Sequence, residues 1–143
     1  AMYFSKRNHE VIVIDNYFRR NSSSILDSHF LYPVPDLIER AKYWYEKTGK
    51  EIKVIIADLA DPQIIRNIFE GKCKFNWSVN KSNSEPPDTV IHYAEQPSAP
   101  YSLMDYEKAD FTIINNLRVT NNVMWALRDY SRDTCVEVLS GVT

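Results

Sequence analysis

The sequence predicts an α/β fold built on a parallel sheet. Three observations carry the prediction. Four short runs rich in β-branched residues recur along the chain, "VIVID" (11–15), "IKVIIAD" (52–58), "DTVIHYAE" (88–95) and "CVEVLS" (135–140). Such near-continuous apolar runs suit strands buried on both faces of a parallel sheet. Helical patterns lie between the runs, and each run ends in polar residues. The alternation β-α-β-α-β-α-β implies right-handed crossovers and a doubly wound parallel sheet.

Each element has its own signal. The first run, 11–15, is strand-sized and closes on Asp15-Asn16. "SSS" (22–24) behind it reads as a flexible loop. The segment 35–49 opens with Pro35 and closes with Gly49, the usual asymmetry of a helix. Tyr43 and Lys47 within it stand four apart, on one helix face, and an amphipathic surface helix accounts for the pair without chemistry. After the second strand, 61–71 repeats the helix grammar. Asp61 is placed to cap, Pro62 to begin and Gly71 to stop it. Residues 72–88, rich in Asn, Ser, Lys and Pro, read as a surface loop or an insertion rather than a domain boundary. From about Met104 to Tyr130 a longer helical pattern places Phe111, Ile114, Leu117, Val123, Met124 and Leu127 largely on one stripe. The final strand, 135–140, ends in Ser140.

Composition limits the function classes. The chain has 143 residues, 44% of them hydrophobic and 25% charged, which suits one globular domain over 1–143. No apolar run approaches the length of a membrane span. A net charge of −2 and a pI near 5.9 leave no basic face for nucleic acid. Two cysteines, Cys73 and Cys135, form neither a disulfide framework nor a metal motif, so a reducing interior and no metal are expected. The N-terminal "AMYFSKRNHE" has no apolar signal core.

In open α/β sheets, ligands bind at the carboxyl ends of the strands. The polar endings therefore belong together: Asp15-Asn16, Asp58, Tyr93-Ala94-Glu95-Gln96 and Ser140. A carboxylate at a strand end can accept hydrogen bonds from both hydroxyls of an adenosine ribose and repels a 2′-phosphate, which favours NAD over NADP. Arg19 and Arg20, close behind, pull the other way, because a guanidinium can hold a phosphate. A lone Asp-Asn after a strand also makes a turn, and His92 in a strand also makes a core histidine.

The stretch "HYAEQPSAPYSLMDYEKADFTIINNLRVTNNVMWAL" (92–127), with "VIVIDNYFRR" (11–20) and 32–61, resembles the extended short-chain dehydrogenase/reductase superfamily of NAD-dependent epimerases and dehydratases, and within it the UDP-sulfoquinovose synthase family. The resemblance implies a Rossmann-like sheet of strand order 3-2-1-4-5. In that sheet 11–15 pairs with 52–58 and 88–95 pairs with 135–140, and a first strand missing here belongs between the pairs. It also implies a Gly-rich turn, yet the three glycines, Gly49, Gly71 and Gly141, are too scattered to form one. The family's Tyr-x-x-x-Lys would follow the last strand. The expectation is thus a truncated piece, a partial Rossmann-like sheet without its first strand and Gly-rich turn, inactive by itself.

By the same resemblance the cofactor is NAD and the substrates are a UDP-sugar, UDP-glucose first, and sulfite. The sugar is oxidised to a 4-keto form, loses water, takes up sulfite and is reduced again. Asp15 and Asn16 fall to the adenosine ribose, Asp58 and Leu59 to the adenine, Tyr93, Ala94 and Glu95 to the middle of the cofactor, and Arg19 also to the cofactor. Gln96, Ser98 and Tyr101 fall to the sugar. Asn116 falls to a proton path, where the family's helix interrupts its regular hydrogen bonding; a helix asparagine bonded to a neighbouring backbone group is the other reading. The catalytic Thr of the family aligns at Gly141, so Ser140, with Thr143 beyond, is the catalytic candidate. Pro97 stands where the family has Arg, which keeps another UDP-sugar epimerase or dehydratase, or a non-catalytic remnant, as alternatives. A cytoplasmic homodimer is implied, or a stromal one in a plant or alga.

Overall fold

The structure, a computed structural model, describes residues 1–26, 31–80, 84–96, 99–130 and 137–140. It is α/β, with short parallel sheets and helices between the strands, compatible with part of a Rossmann-like fold. The elements run α1 (Met2–Lys6), β1 (Ile12–Asp15), α2 (Phe18–Ile25), α3 (Leu37–Thr48), β2 (Lys53–Ile56), α4 (Pro62–Phe69), β3 (Thr89–His92), α5 (Ala99–Ser102), α6 (Tyr106–Tyr130) and β4 (Glu137–Ser140). The strands pair as the resemblance implied. β1 lies parallel to β2, with Asp15 opposite Ile56, and β3 lies parallel to β4, with His92 opposite Ser140.

Two compact units divide the described residues. The first comprises 1–16, 29–57 and 74–82. Its core is Ala41 of α3 with Ile52 and Val54 at β2, against which Val11, Val13, Leu37, Ile38, Trp44, Ile56 and Trp77 pack. Val54 is fully buried, since Trp77 closes β2 through an antiparallel bridge, the Val54 amide donating to the Trp77 carbonyl at 2.9 Å. Helix α3 starts where its sequence says it should. Asp36 and Glu39 form a reciprocal capping box, and Gly49 ends the helix at φ 67°, a left-handed conformation that costs glycine little. Lys53 is buried at the start of β2. Its ammonium meets the Glu10 carboxylate at 2.9 Å and lies 5.1 Å above the Phe75 ring, two partners that make the burial of a charge tolerable. Tyr43 is exposed, and Lys47 lies over its ring at 5.4 Å, a surface pair as expected.

The second unit comprises 17–28, 58–73 and 83–143. Helix α4 begins as predicted, with Asp61 accepting from the Gln63 amide and Pro62 in the first turn. It buries Ile65, Ile68 and Phe69 and packs on α6. The buried face of α6 is Val119, Val123, Ala126 and Leu127, spaced i, i+4, i+7, i+8. This corrects the expected stripe in part: Val123 and Leu127 are in the buried face, whereas Phe111, Ile114, Leu117 and Met124 are exposed. The expected stripe mixed large residues from several sides of the helix, whereas the packed face is led by small and β-branched side chains that admit close approach. A second correction concerns 22–24, which belong to α2 and not to a loop. Ser22 is buried with its hydroxyl donating to the Arg19 carbonyl, the back-bond by which serine fits a helix interior.

Candidate functional site

The candidate residues fall at strand ends within each unit. Asp15 closes β1 and is exposed, with Asn16 exposed beside it. The parallel ladder continues one step further, the Ala57 amide donating to the Asp15 carbonyl at 3.2 Å, so the ends of β1 and β2 share one edge. Tyr17, next in the chain, adopts φ 57°, a left-handed conformation that costs a bulky residue energy and collects at turns under functional constraint. No sequence signal pointed to it.

In the second unit Arg19 is exposed on α2. Asp58, exposed, accepts from the Ala60 amide at 2.8 Å, which makes it a turn former as well as a candidate ligand. Leu59 behind it is buried. Tyr93 and Glu95 are exposed and Ala94 is partly covered, whereas Gln96 is buried. Tyr101 is buried too, with its ring edge-on to Phe18 at 5.3 Å and to Phe111 at 6.3 Å. Ser140 ends β4 as the register partner of His92. Pro97, Ser98, Gly141 and Thr143 lie outside the described residues.

Helix α6 organises this unit. The Asn116 side chain is taken up by the backbone of Gln96: its Oδ1 accepts from the Gln96 amide at 2.8 Å and its Nδ2 donates to the Gln96 carbonyl at 3.3 Å. The helix runs unbroken through Asn116 from Tyr106 to Tyr130. On another side of the helix, Asn122 Nδ2 donates to the carbonyls of Leu59 at 2.8 Å and Ala60 at 3.1 Å. Sequence reasoning missed Asn122 and Thr120, because a polar residue inside a helix looks alike whether it faces water or a loop.

His92 is buried at 5% exposure. Its Nδ1 accepts from the Ala94 amide at 3.4 Å, and its Nε2 lies 3.1 Å from the Thr120 hydroxyl. Burial lowers its pKa below the ordinary histidine value of 6.5, against a smaller opposing pull from the Glu95 carboxylate. The sign for stability follows. A depressed pKa means that the unfolded chain binds this proton more readily than the folded one, so His92 favours the folded state fully above pH 6.5 and that contribution is lost as pH falls through the folded value. The urea midpoint of the wild-type chain is accordingly expected to fall between pH 7.5 and 5.5, and to fall less in His92→Gln. Equal slopes in the two proteins would show that His92 does not carry the dependence.

The residues fit a dinucleotide in part. Exposed acceptors at the end of β1 are of the kind that suit ribose hydroxyls. The pyrophosphate, by contrast, calls for close-packed backbone amides, and the two described glycines, Gly49 and Gly71, end helices α3 and α4 instead. Among the described residues, no helix is long and apolar enough to cross a membrane.

An α/β chain of parallel strands with polar residues at their carboxyl ends has the build in which ligands collect at those ends. Comparison with known proteins narrows this. The chain is 33% identical over 133 residues to the chloroplastic UDP-sulfoquinovose synthase of Spinacia oleracea, a match covering 93% of this chain and 25% of that one. It is 32% identical over 127 residues to UDP-sulfoquinovose synthase of Sulfolobus acidocaldarius, covering 89% of this chain and 29% of the relative. The chain is thus a relative of the UDP-sulfoquinovose synthases along nearly its whole length, and it spans about a quarter of the length of these curated relatives. No protein-family model matches it.

Proposed function

We propose that residues 1–143 form part of the nucleotide-binding domain of an NAD-dependent enzyme that modifies a UDP-sugar, with UDP-glucose and sulfite as substrates and UDP-sulfoquinovose as product. The observation that supports this most is the continuous similarity to two proteins of that name from a plant and an archaeon. Bound NAD would accept a hydride from the sugar and return it. Asp15 and Asn16 would take the adenosine ribose, with Arg19 close behind. Leu59 would face the adenine, and Asp58 would reach it with the carboxylate oxygen that Ala60 does not occupy. The backbone of Tyr93, Ala94 and Glu95 would line the middle of the dinucleotide, held in place by Asn116. Gln96, Ser98 and Tyr101 would border the sugar, Tyr101 through its hydroxyl because its ring is packed away. Ser140 would act at the sugar as the hydroxyl beside the reacting carbon.

Without a pyrophosphate cradle the 143-residue chain should hold NAD weakly. Charge-assisted hydrogen bonds contribute roughly 1.5–3 kcal/mol each, so two or three missing ones weaken binding by about a thousandfold or more. Titration of the 15N-labelled chain with millimolar NAD is the test. Amide shifts at 15–16, 58–59 and 93–95, smaller with NADP, are expected. Shifts confined to other residues, or the same shifts with both dinucleotides, would overturn the reading.

A further inference from the structure

Two clamps, one helical turn apart on α6, hold the segment that follows β3. Asn116 occupies both backbone groups of Gln96, and Thr120, four residues on, meets the buried ring of His92. Asn116 and Thr120 therefore face the same way, and the chain from His92 to Gln96 lies along that side of the helix. The ring of His92 joins the two ends of this arrangement. Because the Ala94 amide donates to Nδ1, that nitrogen carries no proton, and the proton sits on Nε2, where it is donated to the Thr120 hydroxyl. A histidine with both nitrogens committed in this way has a fixed tautomer, and a fixed ring orients the amide it accepts from.

We propose that His92 is a positioning residue: held by Thr120 as the Nε2–H tautomer, it fixes the Ala94 amide and, with the Asn116–Gln96 pair, keeps the 93–95 backbone in the form that meets a ligand. The ligand assignment rests on the reading above, whereas the tautomer and the fixed segment do not. Protonating His92 places a donor on Nδ1 against the Ala94 donor, so the segment loosens in acid. Glu95 is the charged group acting on the ring, and α6 presents the neutral Thr120 and Asn116. The lowered pKa that burial gives His92 keeps the neutral form in place at neutral pH.

The test needs no nucleotide. Long-range proton–nitrogen spectra of the 15N-labelled 143-residue chain report the tautomer of His92 directly, and amide exchange reports the Ala94 bond. The wild type should show Nε2–H at neutral pH, and Ala94 should lose protection relative to its intrinsic exchange rate as the ring titrates below the ordinary histidine range. Thr120→Val, which keeps the shape and removes the acceptor, should raise the Nδ1–H fraction and speed Ala94 exchange tenfold or more. Exchange at Val119 and Val123 should stay as it was, and Thr120→Ser should restore the wild-type pattern. A wild-type ring in the Nδ1–H form or an even mixture would overturn the proposal, and that measurement stands even if Thr120→Val does not fold. So would a folded Thr120→Val with tautomer and Ala94 exchange unchanged. An intact tautomer in a chain whose amides shift alike with NAD and NADP would defeat the functional reading and leave the positioning role established.

Discussion

Phe69→Ala is expected to lower the unfolding free energy by about 3–5 kcal/mol, the range for removing a buried aromatic ring and leaving its cavity. Phe69 closes the last turn of α4, is 4% exposed, and stacks on Tyr130 with ring centroids 5.5 Å apart and planes 17° from parallel. Tyr130 ends α6, and its hydroxyl bonds the Glu70 carboxylate, so ring and hydrogen bond fasten the same two helix ends. Against a whole-domain stability of about 5–15 kcal/mol, this single change removes about a fifth or more. Phe69→Leu, which keeps most of the volume, should cost less than about 1.5 kcal/mol. Urea unfolding followed by far-ultraviolet circular dichroism measures both, with an unchanged denaturant slope as the condition that only the midpoint moved. A loss below about 1 kcal/mol for the alanine variant would mean that α4 and α6 do not meet through this ring. The functional consequence comes through α6. Asn122 holds Leu59 and Ala60, and Asn116 holds Gln96, so a loosened helix releases both candidate ligand segments together.

The strands and the capped helices were legible because their signals are local. β1, β2, β3 and β4 lie inside the four apolar runs, and Asp61, Pro62 and Gly49 sit where capping chemistry places them. The pairing of β1 with β2 and β3 with β4 came from the resemblance, since periodicity alone does not choose partners. What escaped notice depends on tertiary contact. The short helix α2 carries polar serines that read as loop until Ser22 turns its hydroxyl back onto the Arg19 carbonyl. The packed face of α6 was read in part, through Val123 and Leu127; hydrophobicity alone also favours the large residues Leu117 and Met124, while the geometry of the seam adds Val119 and Ala126. Of the candidate site, the strand-end carboxylates were visible as such. Thr120 and Asn122, and the commitment of Asn116 to Gln96, were not, because which loop a helical amide reaches is set by how far away in sequence that loop lies: 20 residues for Gln96 and 63 for Leu59.

Asp15→Ala should change which dinucleotide binds. The carboxylate stands exposed at the end of β1, where the proposal has it accept both ribose hydroxyls of NAD and repel the extra phosphate of NADP. Removing it takes away hydrogen bonds to a charged group, about 1.5–3 kcal/mol or roughly tenfold to a hundredfold in NAD affinity, and removes the repulsion at the same time. Arg19 then becomes an asset, because an exposed guanidinium on the following helix can pair with a 2′-phosphate once no carboxylate competes for it. NADP affinity is therefore expected to hold or rise while NAD affinity falls, so the ratio narrows or reverses. Because the two described glycines, Gly49 and Gly71, end helices and cradle no pyrophosphate, the measurement belongs in a chimera, with the matched 133 residues replacing their counterpart in the spinach enzyme. Dissociation constants for NAD and NADP on the chimera and its Asp15→Ala variant decide between a ligand and a turn former. If Asp15 only shapes the turn after β1, the variant loses stability and both dinucleotides weaken by the same factor, and an unchanged ratio removes Asp15 from the site.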